Sequence, residues 1–229
     1  MTGDLRLIIF DVDGTLTDSQ GHILAAMGQA FDAVGLALPP REVILSIVGL
    51  SLPEAMTRLV PAANADQHEG LVEGYKNAYK DLRLRGGEAA ASPLYPGVAE
   101  GLARLGARED VLLGIATGKS RRGLDAFLET HGFGDLFVTC QVADFHPSKP
   151  HPSMIETALA DCGLAPDAAV MVGDTSFDME MARAARVRPV GVAWGYHGTE
   201  ALRGAGAEVV VDDFPGLMNE LEKATETAQ

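Results

Sequence analysis

The chain has 229 residues, 47% of them hydrophobic and only 6% aromatic, and a formal net charge of −14. That length can bury one large core, or one core and a smaller insert. So acidic a balance argues against nucleic acid and anionic membrane surfaces as partners, because bulk electrostatics would repel both.

The two cysteines, Cys140 and Cys162, have neither C-x-x-C nor metal-ligand spacing and read as reduced thiols. The first residues show no cationic stretch followed by a cleavable apolar run, and no apolar run reaches the length of a membrane span. A soluble, cytoplasmic protein is predicted.

In chain order, Leu7-Ile8-Ile9-Phe10 reads as a short strand buried on both faces, as in a parallel sheet. It stops at Asp11-Val12-Asp13-Gly14. Side chains at i and i+2 point the same way on extended backbone, so Asp11 and Asp13 can converge past the strand end. Gly14 permits the turn that follows. In an open α/β sheet ligands bind beyond the carboxyl ends of the strands, and two carboxylates there repel unless a cation sits with them. A hard, oxygen-seeking ion such as Mg²⁺ suits that position. Taken alone, the same residues also read as an ordinary turn.

After Thr15 the period changes. Helices are predicted over Gln20–Leu36, over Glu42–Val48, from Pro53-Glu54 onward, and over Ala65–Leu84, with a turn at Gly49-Leu50-Ser51-Leu52-Pro53. Gly86-Gly87 through Ser92-Pro93 reads as a linker. Alternation then resumes: helix 96–105, strand 111–116, helix 120–131, strand 136–140, helix 152–162, strand 168–172, helix 176–186, strand 189–193 and a short edge strand 208–211. The polar tail from Glu222 is expected to fray. Strands alternating with such helices imply βαβ units, hence an α/β fold with a doubly wound parallel sheet and an all-helical insert after the first strand.

Three further stretches put polar groups past predicted strand ends. Thr117-Gly118-Lys119 offers a hydroxyl and backbone N–H groups for an anion, though it also reads as a helix cap. Lys149 lies between prolines that stiffen its loop. Gly173-Asp174-Thr175-Ser176-Phe177-Asp178 sends a second acidic pair off a strand, and again a cap is the simpler reading.

These four stretches, in this order, resemble the motifs of the haloacid dehalogenase-like (HAD) hydrolase superfamily, in particular its phosphoglycolate phosphatase-like branch with a helical cap. The resemblance spans essentially the whole chain and implies a Rossmann-like core from residues 1–16 and 91–229 and a cap from 17–90. It implies Asp11 as a nucleophile forming an aspartyl-phosphate and Asp13 as the acid/base. Thr117 and Gly118 would hold phosphoryl oxygens, and Lys149 would neutralise charge. Mg²⁺ would be held by Asp11, the Asp13 backbone carbonyl and Asp174, with Asp178 orienting Lys149 or a metal-bound water. In the cap, Gly49 and Ser51 would face substrate, and Tyr75, Lys76, Arg83 and Arg85 are further candidates.

The implied activity is a Mg²⁺-dependent phosphatase acting on a small phosphomonoester, phosphoglycolate or a sugar phosphate, by a monomer or homodimer. A phosphomutase of the β-phosphoglucomutase type is the rival within the same chemistry. A phospho-acceptor signalling domain is a more distant one, since such domains lack the insert and the paired Asp13. Asp13 also disfavours phosphonatases, which carry alanine there, and the dehalogenase members, which lack the second aspartate. Lys119, Arg121 and Arg122 form a basic run in an acidic chain and are read chiefly as surface charge.

Overall fold

The structure is a computed structural model that describes residues 5–86 and 92–226, without the side chains of 85, 86 and 224–226. The candidate side chain of Arg85 and the boundary at 90/91 therefore lie outside the described residues. Six parallel strands form one sheet in the order β3-β2-β1-β4-β5-β6. They are β1 (Arg6–Phe10), β2 (Val111–Thr117), β3 (Thr139–Val142), β4 (Ala169–Gly173), β5 (Arg188–Val192) and β6 (Val209–Val211).

β1 lies in the interior of the sheet, paired with β2 on one side and β4 on the other, Phe10 standing opposite Ile115 and Val172. Its alternating side chains feed two separate cores. Ile8 and Phe10 join the cluster that includes Leu102 and Leu105 of α5 (Val98–Gly106), Leu124 of α6 (Arg121–His131) and Leu217 of α10 (Phe214–Glu226). Leu7 and Ile9 join the opposite cluster with Ile155 of α7 (Ser153–Cys162) and Met181 of α8 (Ser176–Ala184). A strand covered on both faces has no polar side to present, which explains its unbroken apolar run.

Between β1 and α5 the described secondary structure is helical. α1 (Gln20–Ala33), α2 (Arg41–Leu45), α3 (Leu52–Leu59) and α4 (Ala65–Gly86) enclose their own core, with Ile23, Met27, Phe31, Ile44, Met56 and Leu71 at its centre. α1 and α4 approach closely because Gly74 lies against Ala30, where a Cβ would sit 3.3 Å from the Ala30 Cα.

Two local expectations are corrected, and one short helix is added. The strand predicted over 136–140 is observed at Thr139–Val142. The apolar run that suggested it is spent on packing: Phe137 is buried in the core cluster and Leu136 packs against it. The paired edge instead carries Thr139 and Gln141, both hydrogen-bonded to Asp161 of α7. The tail does not fray at Glu222. α10 runs to Glu226 because Phe214, Leu217, Met218 and Leu221 form a buried stripe at helical spacing. A six-residue helix, α9 (Thr199–Gly204), is short enough to leave little periodic signal. Among the described residues no helix is long and apolar enough to cross a membrane.

Candidate active site

The carboxyl ends of β1, β2 and β4, adjacent in the sheet, carry Asp11, Thr117 and Asp174, with exposures of 1%, 1% and 0%. This is the crevice where neighbouring connections leave the sheet in opposite directions, the usual ligand position in open α/β sheets. Gly14, at φ 88°, turns the chain out of β1 tightly against Asp174, and a Cβ there would stand 2.2 Å from Asp174 Oδ2.

Asp11 is gripped from one side only. Its Oδ1 accepts a hydrogen bond from Lys149 Nζ at 2.7 Å, whereas Oδ2 is buried with no partner. Burial is the largest influence on this carboxyl and pushes its pKa up to about 7; the Lys149 charge opposes the rise and Asp178 adds to it. Lys149 is itself buried and donates also to Asp178 Oδ1 at 2.6 Å. Burial alone would drive its pKa down, but Asp11 and Asp178 outweigh that and hold the ammonium firmly charged.

Asp178 faces inward because it is half of a capping box. Its Oδ2 accepts from the Thr175 N–H at 3.0 Å and the Thr175 hydroxyl at 2.7 Å, while the Thr175 hydroxyl accepts from the Asp178 N–H. The capping reading and the inward-facing acid are therefore one arrangement. Asp174 accepts from Thr15 Oγ1 at 2.8 Å and from the Tyr196 N–H at 2.8 Å. Burial, then the charges of Asp11 and Asp178, raises its pKa.

Asp11, Asp174 and Asp178 each bring an oxygen within 4.8 Å of the others, all three buried. Lys149 pairs with two of these three carboxylates, and one oxygen of Asp11 is unpartnered. An all-oxygen, electron-rich donor set with uncompensated negative charge fits a hard divalent cation.

Asp13 stands apart from that cluster. Lys119 Nζ bridges both its oxygens at 2.6 and 2.7 Å, and Ser19 Oγ donates to Oδ1 at 2.5 Å. Lys119 is thus a largely buried partner of Asp13, its side chain 11% exposed, and not the surface charge that its sequence neighbourhood suggests. Its ammonium also lies 5.4 Å from the centre of the Tyr79 ring in the helical insert. Arg121, by contrast, pairs with Asp125 on the exposed face of α6.

A cavity of ≈ 750 Å³ opens above these groups, walled by the sheet ends below and the helical insert above. Asp11, Asp13, Thr117, Gly118, Gly49 and Ser51 all line it, as do Tyr75, Lys76, Arg83 and Arg122. The turn at Gly49 comes down directly onto Gly118, where a Cβ would lie 2.6 Å from the Gly49 carbonyl oxygen and 2.7 Å from that of Leu50. Ser51 N–H donates to Ser148 Oγ, one residue from Lys149, at 2.8 Å. Gly118→Ala is expected to lift the insert off the sheet ends, because backbone carbonyls cannot yield as a side chain would. The measurement is substrate saturation, in which KM should rise by about tenfold or more, the scale of losing contacts worth ~1.4 kcal/mol.

The family model for haloacid dehalogenase-like hydrolases matches residues 8–192. The chain belongs to this family. Probable phosphatase IndB of Dickeya dadantii is 34% identical over 211 residues, covering 91% of this chain and 90% of that protein. A phosphoglycolate phosphatase of Nitrosococcus oceani is 30% identical over 221 residues, covering 96% and 97%. The crystal structure of a hydrolase from Pseudomonas syringae superposes with a TM-score of 0.83 at 27% identity, covering 95% of this chain and 98% of that one. The chain is therefore an enzyme of the HAD hydrolase family, and the two sequence relatives named here bear the names of a probable phosphatase and a phosphoglycolate phosphatase.

Several groups around the HAD carboxylates escaped the sequence reading. Thr15, Ser19 and Tyr196 hold Asp174 and Asp13, and Trp194 Nε1 donates to the Thr15 carbonyl at 3.0 Å. The available signal was positional: Trp194-Gly195-Tyr196-His197 follows β5, whose carboxyl end lies next to that of β4.

Proposed function

We propose that the protein hydrolyses a small phosphomonoester, phosphoglycolate or a sugar phosphate, through a covalent aspartyl-phosphate on Asp11. The observation that carries this reading is the state of Asp11: one oxygen is fixed by Lys149, while the other is buried and unpartnered at the floor of the cavity. A buried carboxylate with a free oxygen is disposed as a nucleophile, and an acyl phosphate divides one hard displacement into two easier ones.

In the first step a carboxylate oxygen of Asp11 attacks phosphorus, and the bond from phosphorus to the ester oxygen breaks. Asp13 gives a proton to the departing oxygen. Water then attacks the phosphorus of the aspartyl-phosphate, Asp13 takes its proton, and the bond to Asp11 breaks to release phosphate. Such a proton carrier contributes ~10²–10⁴-fold. Lys119 and Ser19 keep Asp13 turned to a fixed place. Thr117 Oγ1 and the Gly118 N–H are assigned to phosphoryl oxygens, and Lys149 to the charge shared by nucleophile and phosphate. Asp178 orients Lys149. Mg²⁺ would be held by Asp11, the Asp13 carbonyl and Asp174, and would supply charge that lets a carboxylate approach a phosphate dianion.

In this reading residues 1–16 and 91–229 are the catalytic core and 17–90 the cap that roofs it, with Gly49 and Ser51 facing substrate. The protein acts in the cytoplasm as a monomer or homodimer on a small metabolite, with no role for nucleic acid or membrane. Support for the substrate class comes from the matched relatives and from the basic cavity wall of Lys76, Arg83 and Arg122 in an otherwise acidic chain.

The test is phosphate release from a panel of phosphomonoesters that includes phosphoglycolate and hexose phosphates, with Mg²⁺ and with a chelator. Metal-dependent release is expected, strongest for one compound. Conversion of one hexose phosphate into its isomer without phosphate release would replace this reading with the phosphomutase.

A further inference from the structure

We infer that His197 is a positioning residue that docks the cap turn at Ser46 onto the loop holding Asp174, so that seating of the cap and placement of the catalytic carboxylates are one event. The inference rests on the phosphatase reading for its functional meaning, while the contacts themselves do not.

His197 lies five residues beyond the end of β5. Its Nδ1 accepts a hydrogen bond from the Ser176 N–H at the start of α8, at 3.0 Å. The ring proton therefore sits on Nε2, which donates to the Ser46 carbonyl in the turn after α2, at 3.1 Å. One small rigid ring thus joins the core helix that carries Asp178 to the insert. Phe177 meets the ring edge-on with centroids 5.4 Å apart, and Arg58 of α3 lies over Phe177 at 5.3 Å.

The backbone of the same loop serves the carboxylates. His197 N–H donates to the Asp174 carbonyl at 3.3 Å, and the adjacent Tyr196 N–H donates to Asp174 Oδ2 at 2.8 Å. Tyr196 carries the link further, since its hydroxyl lies 3.1 Å from Ser19 Oγ, which in turn donates to Asp13. Gly195 presses against Asp174 so closely that a Cβ would come within 2.2 Å of the Asp174 Cβ. A shift of the turn at Ser46 must therefore break the imidazole bond or be passed to residues one and two bonds from Asp174 and Asp13. A glutamine can offer the same acceptor and donor, and an alanine offers neither.

The experiment compares amide hydrogen exchange in the wild-type enzyme, His197→Ala and His197→Gln, following residues 47–51 of the cap turn and the Tyr196 N–H. In His197→Ala both are expected to exchange about tenfold faster, the factor for one lost neutral hydrogen bond. In His197→Gln both should stay within about threefold of wild type, since the donor and acceptor are restored. Saturation kinetics on the same proteins should show the alanine variant losing in both kcat and KM, with the glutamine variant recovering both. Unchanged exchange in His197→Ala, or acceleration of the cap turn with the Tyr196 N–H unaffected, would overturn the proposal. Equal acceleration in both variants would overturn it too. Exchange needs no substrate, so its outcome is independent of whether the phosphatase reading holds.

Discussion

Asp11→Asn is expected to abolish turnover while leaving the protein folded and, without divalent metal, no less stable at pH 8. The amide is nearly isosteric but cannot form the acyl phosphate, so phosphate release should fall by roughly 10⁴-fold or more, the scale on which removal of a covalent nucleophile acts. The stability half follows from the raised pKa of about 7, caused first by burial and only partly offset by Lys149. A carboxyl whose folded pKa lies above its unfolded value costs nothing below the unfolded value, near 3.8, where both states are protonated. The cost of ionising it in the fold grows as pH rises and is complete above about 7. Asparagine removes that cost; it loses the charge attraction to Lys149, but its amide oxygen still accepts from that ammonium, which also keeps Asp178. Thermal melts in chelator should therefore show the difference between variant and wild type moving in the variant's favour from pH 4 to pH 8. Near-normal turnover by a folded Asp11→Asn protein would remove Asp11 as nucleophile.

Lys149→Met carries the second large effect, and here activity and stability fall together. The ammonium is the buried counter-charge to Asp11 and Asp178, at 2.7 and 2.6 Å, in a pocket where Asp174 adds a third carboxylate. Removing one partner from a buried ion cluster leaves charge uncompensated, at a cost of about 3–5 kcal/mol. The loss depends on pH in a definite direction. Lys149 has its folded pKa raised, so its contribution is fully present below 10.5. In the variant the carboxylates can escape repulsion by taking up protons, which is easier at pH 5 than at pH 8. Denaturant midpoints should accordingly differ from wild type more at pH 8 than at pH 5. Adding Asp11→Asn to Lys149→Met should restore part of the stability and none of the activity, because the double change removes a charge with its counter-charge. A Lys149→Met protein as stable as wild type at pH 8 would contradict this electrostatic account.

The two predictions draw on residues that local sequence already brings forward. Asp11 ends a run of four apolar residues, and Asp174 ends another strand; both are visible because a doubly covered strand must be apolar until it leaves the sheet. Lys149 was visible through the prolines beside it. The insert was visible as a change of period from strand to helix. β3 was displaced because apolar residues are chosen for burial, and Leu136 and Phe137 are used in the core instead of in a ladder.

Lys119 shows where such reading stops. It meets Asp13 across 106 residues, and nothing within its own neighbourhood distinguishes it from Arg121, which points to the surface and pairs four residues away. The same holds for His197, whose ring reaches Ser46 across 151 positions. By itself the sequence determined the order of the strands and of the helices up to α8, the insertion after β1, and the acidic groups at strand ends. These follow from periodicity and from how a chain leaves a sheet, which are local. Only the tertiary structure decided which cation neutralises which carboxylate, and how the insert is tied to the core. A hydrogen bond acts over about 3 Å, so its partners are settled by packing, not by distance along the chain.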